Sequence, residues 1–402
     1  MFKAPASKRW SFLLSLLFAL ACGLAVANIY YAQPLLGQLA QEFGVSQANV
    51  GYIIAAVQLF YALGLIFIVP LGDLVNRRRL ILLQLLGITV ALVCVGFAHD
   101  YVLLLAGLAA VGLMAVVTQV LVNFASALAP EAERGKAVGL VTGGVVIGIL
   151  LARFFAGAIS ELADWRAVYL TSSGLTLVVT FSLIVMLPQD HSKKSDLAYS
   201  QLLRSMLQLF LQENLLRTRA AFAFFIFTAF GMLWTPLSLP LGEAPLSLSP
   251  SLIGAFGLAG AVGAIGAANA GKWADRGLGH RATGIALVLL FLSWLPISML
   301  HHSLLLLIAG ILLLDFAVQV VHVTNQSLLF AALPDARGRL TGAYMVFYSI
   351  GSAVGAVLST WAYAAYGWSG VCLMGAIVSG VACLLWGWTR VAEKDLLRGK
   401  EA

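Results

Sequence analysis

Asp315 is a carboxylic acid in the middle of an apolar run, Leu304 to Leu329, and Gln319 and His322 follow it at i+4 and i+7. On a helix those offsets fall on one face. Arg153, in the run Ala137 to Ile159, is the other strongly ionisable side chain set inside apolar sequence. An ionised group in hydrocarbon costs roughly 3 kcal/mol, so both are functional candidates. A short carboxylate cannot reach the membrane surface from mid-run. The chemistry open to Asp315 is therefore reversible protonation, with His322 as the second proton-carrying candidate, while Arg153 offers a fixed cation. Other runs supply neutral hydrogen-bonding groups: Asn28, Tyr30, Tyr31 and Gln33, then Gln58 and Tyr61, then Gln119 and Asn123, then Trp234. Such groups can recognise a small polar or amphiphilic molecule. They form no acid–base pair or ligand set of an enzyme; His301 and His302 are the other His pair, and no catalytic, metal or cofactor site is expected. Cys22, Cys94, Cys372 and Cys383 all lie in apolar sequence without a C-x-x-C pair, which argues against zinc and disulfides.

The elements that carry these residues follow from composition. The chain has 402 residues, 61% hydrophobic and 10% charged, against about 45–50% apolar in soluble domains. A membrane crossing needs about 20 apolar residues, and the sequence predicts twelve: Ser11 to Gln33, Val50 to Leu71, Leu80 to Ala98, Leu103 to Ala125, Ala137 to Ile159, Val168 to Leu187, Ala220 to Leu241, Leu252 to Gly271, Ala282 to Leu300, Leu304 to Leu329, Gly342 to Ala364 and Gly370 to Trp388. These are spans 1 to 12. Lys3, Lys8 and Arg9 before span 1 and Ala25-Val26-Ala27 within it also have the form of a cleavable signal, but the repeat below gives this span a partner. Of 24 basic residues, all but Arg153 and Arg166 fall on one side of this arrangement. By the positive-inside rule that side is the cytoplasm, and both termini lie there. The net charge of +7 is thus a topology signal rather than a nucleic-acid footprint.

Sliding the chain against itself by 202 or 203 residues brings Pro34 onto Pro236, Gly51 onto Gly254, Asp73 onto Asp275, Arg134 onto Arg337 and Trp165 onto Trp368. Six spans are used twice, in parallel because an even number returns the chain to the same side. The expected architecture is an all-α membrane protein of two six-helix bundles, 1–188 and 219–402, related by a pseudo-two-fold axis. The cytoplasmic linker 189–218 contains "HSKKSD" at His191 to Asp196 and then an amphipathic segment.

At this point the chain resembles the major facilitator superfamily over essentially its whole length. The family's loop between spans 2 and 3 carries G-x-x-x-D-R-x-G-R-R. Here Asp73, Arg77 and Arg78 match, with Leu74 for the first Arg and Asn76 for the Gly. Asn tolerates a left-handed turn best after Gly, so the same turn is expected. The second copy is Gly271, Asp275, Arg276, Gly279 and Arg281, with one extra residue before Gly279. A carboxylate at the end of span 2 can meet the positive N-terminus of span 11, an interaction of up to about 2 kcal/mol that would close an inner gate. Asp275 would do the same against span 5, with Arg77, Arg78 and Arg281 bracing the loops or meeting lipid phosphates.

"NIYYAQPLL" at Asn28 to Leu36 and "RFFAGAISELADWRAVY" at Arg153 to Tyr169 resemble bacterial drug and sugar efflux members. The resemblance implies that spans 1, 4, 7 and 10 line a central cavity holding the substrate residues named above, and implies proton-coupled efflux across the bacterial inner membrane by a monomer. One departure stands against efflux: the exporter signature G-x8-G-P-x-x-G has its spacing at Gly139 and Gly148, but Ile149 replaces Pro and Ala152 the last Gly. Gly143, Gly144 and Gly148 still permit close helix packing. No G-x-x-x-x-G-K-[ST] loop is present. A secondary transporter with protons, a small solute and the bilayer as partners is the leading expectation; uptake symport or uniport is the alternative, and a membrane-embedded enzyme or a sensor fits less well.

Overall fold

In hydrocarbon each backbone amide must find its partner inside its own segment, so apolar runs close into helices. The structure, a computed structural model, describes residues 12–190, 197–266, 270–332 and 337–401, apart from the side chains of 132, 261–266, 275, 337 and 390–401. In chain order the helices are α1 Phe12–Tyr30, α2 Leu36–Glu42, α3 Gly51–Phe67, α4 Arg77–Gly96, α5 Tyr101–Ala115, α6 Val117–Leu128, α7 Arg134–Leu162, α8 Trp165–Met186, α9 Tyr199–Gln212, α10 Asn214–Trp234, α11 Ser238–Gly242, α12 Pro250–Gly266, α13 Ala270–Trp273, α14 Gly279–Ser298, α15 Leu304–Ala332 and α16 Arg337–Glu401. Among the described residues ten segments are long and apolar enough to cross a membrane. One of these, Gly338–Thr389, holds spans 11 and 12: Gly367, at φ 64°, breaks α16 between them. The shorter apolar helix Pro250–Gly260 lies in span 8. Among the described residues, each of the twelve runs read from the sequence is helical over most of its length.

The chain divides into two units. Unit 1 comprises Met1–Val45, Ile53–Leu209 and Leu241–Gly257. Within it α1 packs on α7 and α8, and α4 packs on α5 and α8. The α1–α7 crossing is close because both helices are bare there: a Cβ on Gly23 would stand 2.9 Å from the Gly144 carbonyl oxygen, and one on Gly148 would strike the Gly23 backbone. Gly143, expected to share this packing, instead faces open space. The side chains of Asp100 and Asp164 cap α5 and α8 by accepting from Leu103 N at 2.8 Å and Ala167 N at 2.9 Å. At the same end of the unit, Glu42 accepts from Trp165 Nε1 and pairs with Arg166 at 2.5 Å.

Unit 2 comprises Ser46–Tyr52, Phe210–Pro240 and Leu258–Ala402. Here α10 packs along α16, and α14 packs on α15 and α16. Gly231 lets the α10 backbone approach the Ser352 carbonyl oxygen, which a Cβ would meet at 2.7 Å. The linker element "HSKKSD" lies outside the described residues; after it, α9 carries Tyr199, whose hydroxyl donates to the Phe67 carbonyl at 2.7 Å.

Candidate functional site

Several of the polar residues singled out in the sequence lie against one another within each unit. In unit 1, α1 runs into a 3₁₀ turn at Gln33–Leu35 that Pro34 helps start, and this turn brings Gln33 beside α7. Arg153 Nε donates to Gln33 Oε1 at 2.7 Å, and its guanidinium lies 5.1 Å from the Tyr30 ring centroid. Arg153 is 3% exposed. A buried cation needs such partners, here an aromatic face and an amide oxygen. One turn earlier, Asn28 Oδ1 accepts from Ser172 Oγ at 2.7 Å, and Ser172 Oγ is 3.5 Å from Tyr31 Oη. Tyr61 lies against Thr118 and Gln119. Gln58 is buried, and its Oε1, like Asn28 Nδ2, has no hydrogen-bond partner among the described residues. Asn123 is exposed.

In unit 2, Trp234 at the end of α10 donates its Nε1 to Asp315 Oδ1 at 3.1 Å, and both residues are buried. Gly260 of α12 closes the other side, since a Cβ there would overlap Asp315 Oδ2. Three helices therefore meet at this carboxylate. Gln319 is half-buried on the same helix. His322 Nδ1 lies 3.0 Å from Tyr344 Oη, and its ring stands edge-on to Phe227 at 5.3 Å.

The gate motifs are locally tied. Asp73 Oδ1 accepts from Arg77 Nη2 at 3.1 Å, while Arg77 Nε donates to the Gly72 carbonyl at 2.8 Å. Arg78 Nη2 donates to the Ile184 carbonyl at 2.8 Å, so the two arginines brace the start of α4 against the loop and α8. The expected left-handed turn at Asn76 is not there. Asn76 has φ −66° and caps α4, its Oδ1 accepting from Arg79 N at 3.1 Å. An Asx cap satisfies an open helix amide, a gain that a Gly could not supply. In the second copy the left-handed residue is Gly277, at φ 75°, rather than Gly279, which starts α14. Arg276 and Arg281 are exposed and Gly271 half-buried; the Asp275 side chain lies outside the described residues.

Residues unmarked by the sequence take part in these contacts in both units. Arg219, one of the basic residues on the side read as cytoplasmic, is 1% exposed. Its Nη1 donates to Asn325 Oδ1 at 3.4 Å, and Nη2 lies 3.3 Å from the His280 ring nitrogens. Asn325 Nδ2 reaches the Arg219 carbonyl and Tyr344 Oη, both at 3.4 Å. A polar network thus runs from Arg219 through Asn325 and Tyr344 to His322. Asn325 sits three residues beyond His322, a helical spacing that could have flagged it; Arg219, Ser172 and Tyr344 carry no comparable signal.

The Major Facilitator Superfamily profile matches residues 16–292 and 223–402. The chain is 45% identical over 373 residues, 93% of its length and 94% of the relative's, to the uncharacterized transporter YgaY of Escherichia coli O157:H7. Over 180 residues, 44% of this chain and 45% of the relative, it is 27% identical to the purine ribonucleoside efflux pump NepI of Escherichia coli O127:H6. A bacterial homolog of the human lysosomal transporter Spinster, in an inward-facing and occupied conformation, matches its fold with a TM-score of 0.80 over 94% of this chain and 96% of that one. At 16% identity that likeness bears on fold alone. On the profile and the full-length relative, the chain belongs to the Major Facilitator Superfamily.

Proposed function

We propose that the chain is a secondary active transporter that exchanges a small organic solute for protons by alternating access, in the direction of efflux. The observation that carries this reading is Asp315, a buried carboxyl held between the Trp234 indole N–H and Gly260. Desolvation disfavours the charged form of any carboxyl and a donated hydrogen bond favours it, so a change in either can load or release a proton. His322, ringed by Tyr344 and Phe227, is the second candidate. In unit 1 the open Asn28 Nδ2 and Gln58 Oε1 offer a donor and an acceptor to a neutral polar solute, and Arg153 holds Gln33 and Tyr30. Nucleosides are the first class to test, because NepI, similar over less than half the chain, is an efflux pump for purine ribonucleosides. Asp73 and Asp275 serve as gate carboxylates. The working unit is a monomer in the bacterial inner membrane, with both termini cytoplasmic and bundles at 1–188 and 219–402.

A second reading, uptake by symport, is favoured by Ile149 standing where exporters of this kind carry Pro. The two give opposite signs in one experiment. With the chain in sealed vesicles containing a pH-sensitive dye, solute added outside drives protons out under antiport, so the lumen turns alkaline. Symport acidifies it. No pH change during solute entry would contradict proton coupling altogether.

A further inference from the structure

Unit 2 carries a groove of about 340 Å³ that none of the transport residues named above lines except Arg281. Trp273, Ile285, Leu289 and Phe316 form its apolar walls, and the short side chain of Ala282 leaves its depth. That volume is in the range of small-molecule pockets. Arg281 is its charged lining residue and stands in the first turn of α14. Lys272 and Arg276, in the same ten-residue stretch, are also exposed. The other end runs along the outer face of α14, where Ile285 is 64% exposed and Leu292 48%.

The groove does not face the proposed solute site. Successive residues on a helix are turned by about 100°. Phe316 and Val320, which line the groove, therefore stand on a different face of α15 from Asp315, Gln319 and His322. A water-soluble ligand would have to leave water for a wall of apolar side chains with one cation at its end. An indole at a membrane–water boundary beside a guanidinium is the setting in which phospholipid headgroups lie.

We propose that this groove binds one anionic glycerophospholipid, with an acyl chain laid along Ile285, Leu289 and Phe316 and the phosphate on Arg281. Charge complementarity decides the class: the charged residue of the lining is the cation Arg281, and the walls beyond it are apolar side chains. A chain seated there packs against α15 one residue from Asp315, so occupancy also stiffens the helix that carries the proposed coupling carboxyl. The lipid site itself does not depend on the transport reading.

The test is native mass spectrometry of the full chain in detergent titrated with phosphatidylglycerol or phosphatidylcholine of identical chains. One phosphatidylglycerol should be retained at concentrations where phosphatidylcholine is not. Arg281→Gln should weaken that retention about fivefold, as expected for one basic residue at an anionic surface. Ala282→Leu, which fills the groove and keeps the charge, should weaken retention of both lipids and carries the test if the first variant is poorly folded. Equal retention of the two lipids, or retention unmoved by both substitutions, would overturn the proposal. So would displacement by glycerol phosphate, which has the headgroup chemistry without a chain.

Discussion

Val57 and Gly112 in unit 1, and Gly260 and Asp315 in unit 2, stand at positions 203 residues apart, and each pair marks a close helix crossing. In the first, glycine is on the later helix: a Cβ on Gly112 would sit 3.0 Å from Val57 Cα, so the two backbones touch. In the second, glycine has moved to the earlier helix, and the space it leaves holds the Asp315 carboxylate. At a second crossing glycine keeps its helix in both copies. Gly51 meets the Ala356 backbone within unit 2, and its repeat partner Gly254 meets the Arg153 backbone within unit 1. Ala356 and Arg153 are themselves repeat partners. A duplicated scaffold thus preserves where backbones meet while placing one acid in one copy and one base in the other. Packing geometry is symmetric; the chemistry is not.

The difference can be broken most severely at the glycines. Gly112→Ala puts a methyl into the backbone of Val57, which cannot swing away, and should destabilise the protein by about 1–3 kcal/mol, seen as a lower melting temperature in detergent. Gly260→Ala meets the end of a side chain instead. It should cost less stability but turn Asp315 away from Trp234, so that pH-gradient-driven flux falls about tenfold, equivalent to about 1.4 kcal/mol. Equal melting shifts with unimpaired flux in Gly260→Ala would remove the asymmetry.

Arg153 tests the other half of the comparison. Arg153→Ala removes the bond to Gln33 and the contact with Tyr30. Flux measured against solute concentration should show KM raised severalfold with the maximal rate changed less, on the order of 1 kcal/mol of lost binding. An unchanged KM would assign Arg153 to packing alone.

The smallest effect on stability belongs to Asp73. Its pair with Arg77 is an i,i+4 contact with Asp73 more than half exposed, worth about 0.3–0.5 kcal/mol. Arg77 also keeps its bond to the Gly72 carbonyl. Asp73→Asn should therefore melt within a degree or two of wild type, while cysteine labelling from the cytoplasmic side rises and flux drops. Unchanged labelling and flux would reduce the motif to a topology signal.

The spans, the duplication and the two intramembrane charges were legible in the sequence, because hydrocarbon thickness fixes run length and makes every charge conspicuous. Partners were not. Trp234 and Asp315 were both singled out, yet nothing in their spacing says that the indole donates to the carboxylate, since sequence gives depth along a helix but not which neighbour it faces. Arg219, which directly precedes an apolar run, counts in the sequence only toward topology; its partners His280 and Asn325 lie 61 and 106 residues away. Asn76 was read through its resemblance to a motif glycine, whereas an Asn before a helix has a stronger option as its cap.

Asp315 is the proposed coupling group, and Asp315→Asn tests that role most directly because the amide keeps the size and can accept from Trp234 but cannot cycle a proton. In sealed vesicles carrying wild type or the variant, solute exchange without a gradient and solute movement driven by an imposed pH gradient are measured side by side. The variant is predicted to retain exchange and to lose gradient-driven accumulation to the level of empty vesicles. Gradient-driven transport at the wild-type rate in Asp315→Asn would contradict the coupling role of Asp315.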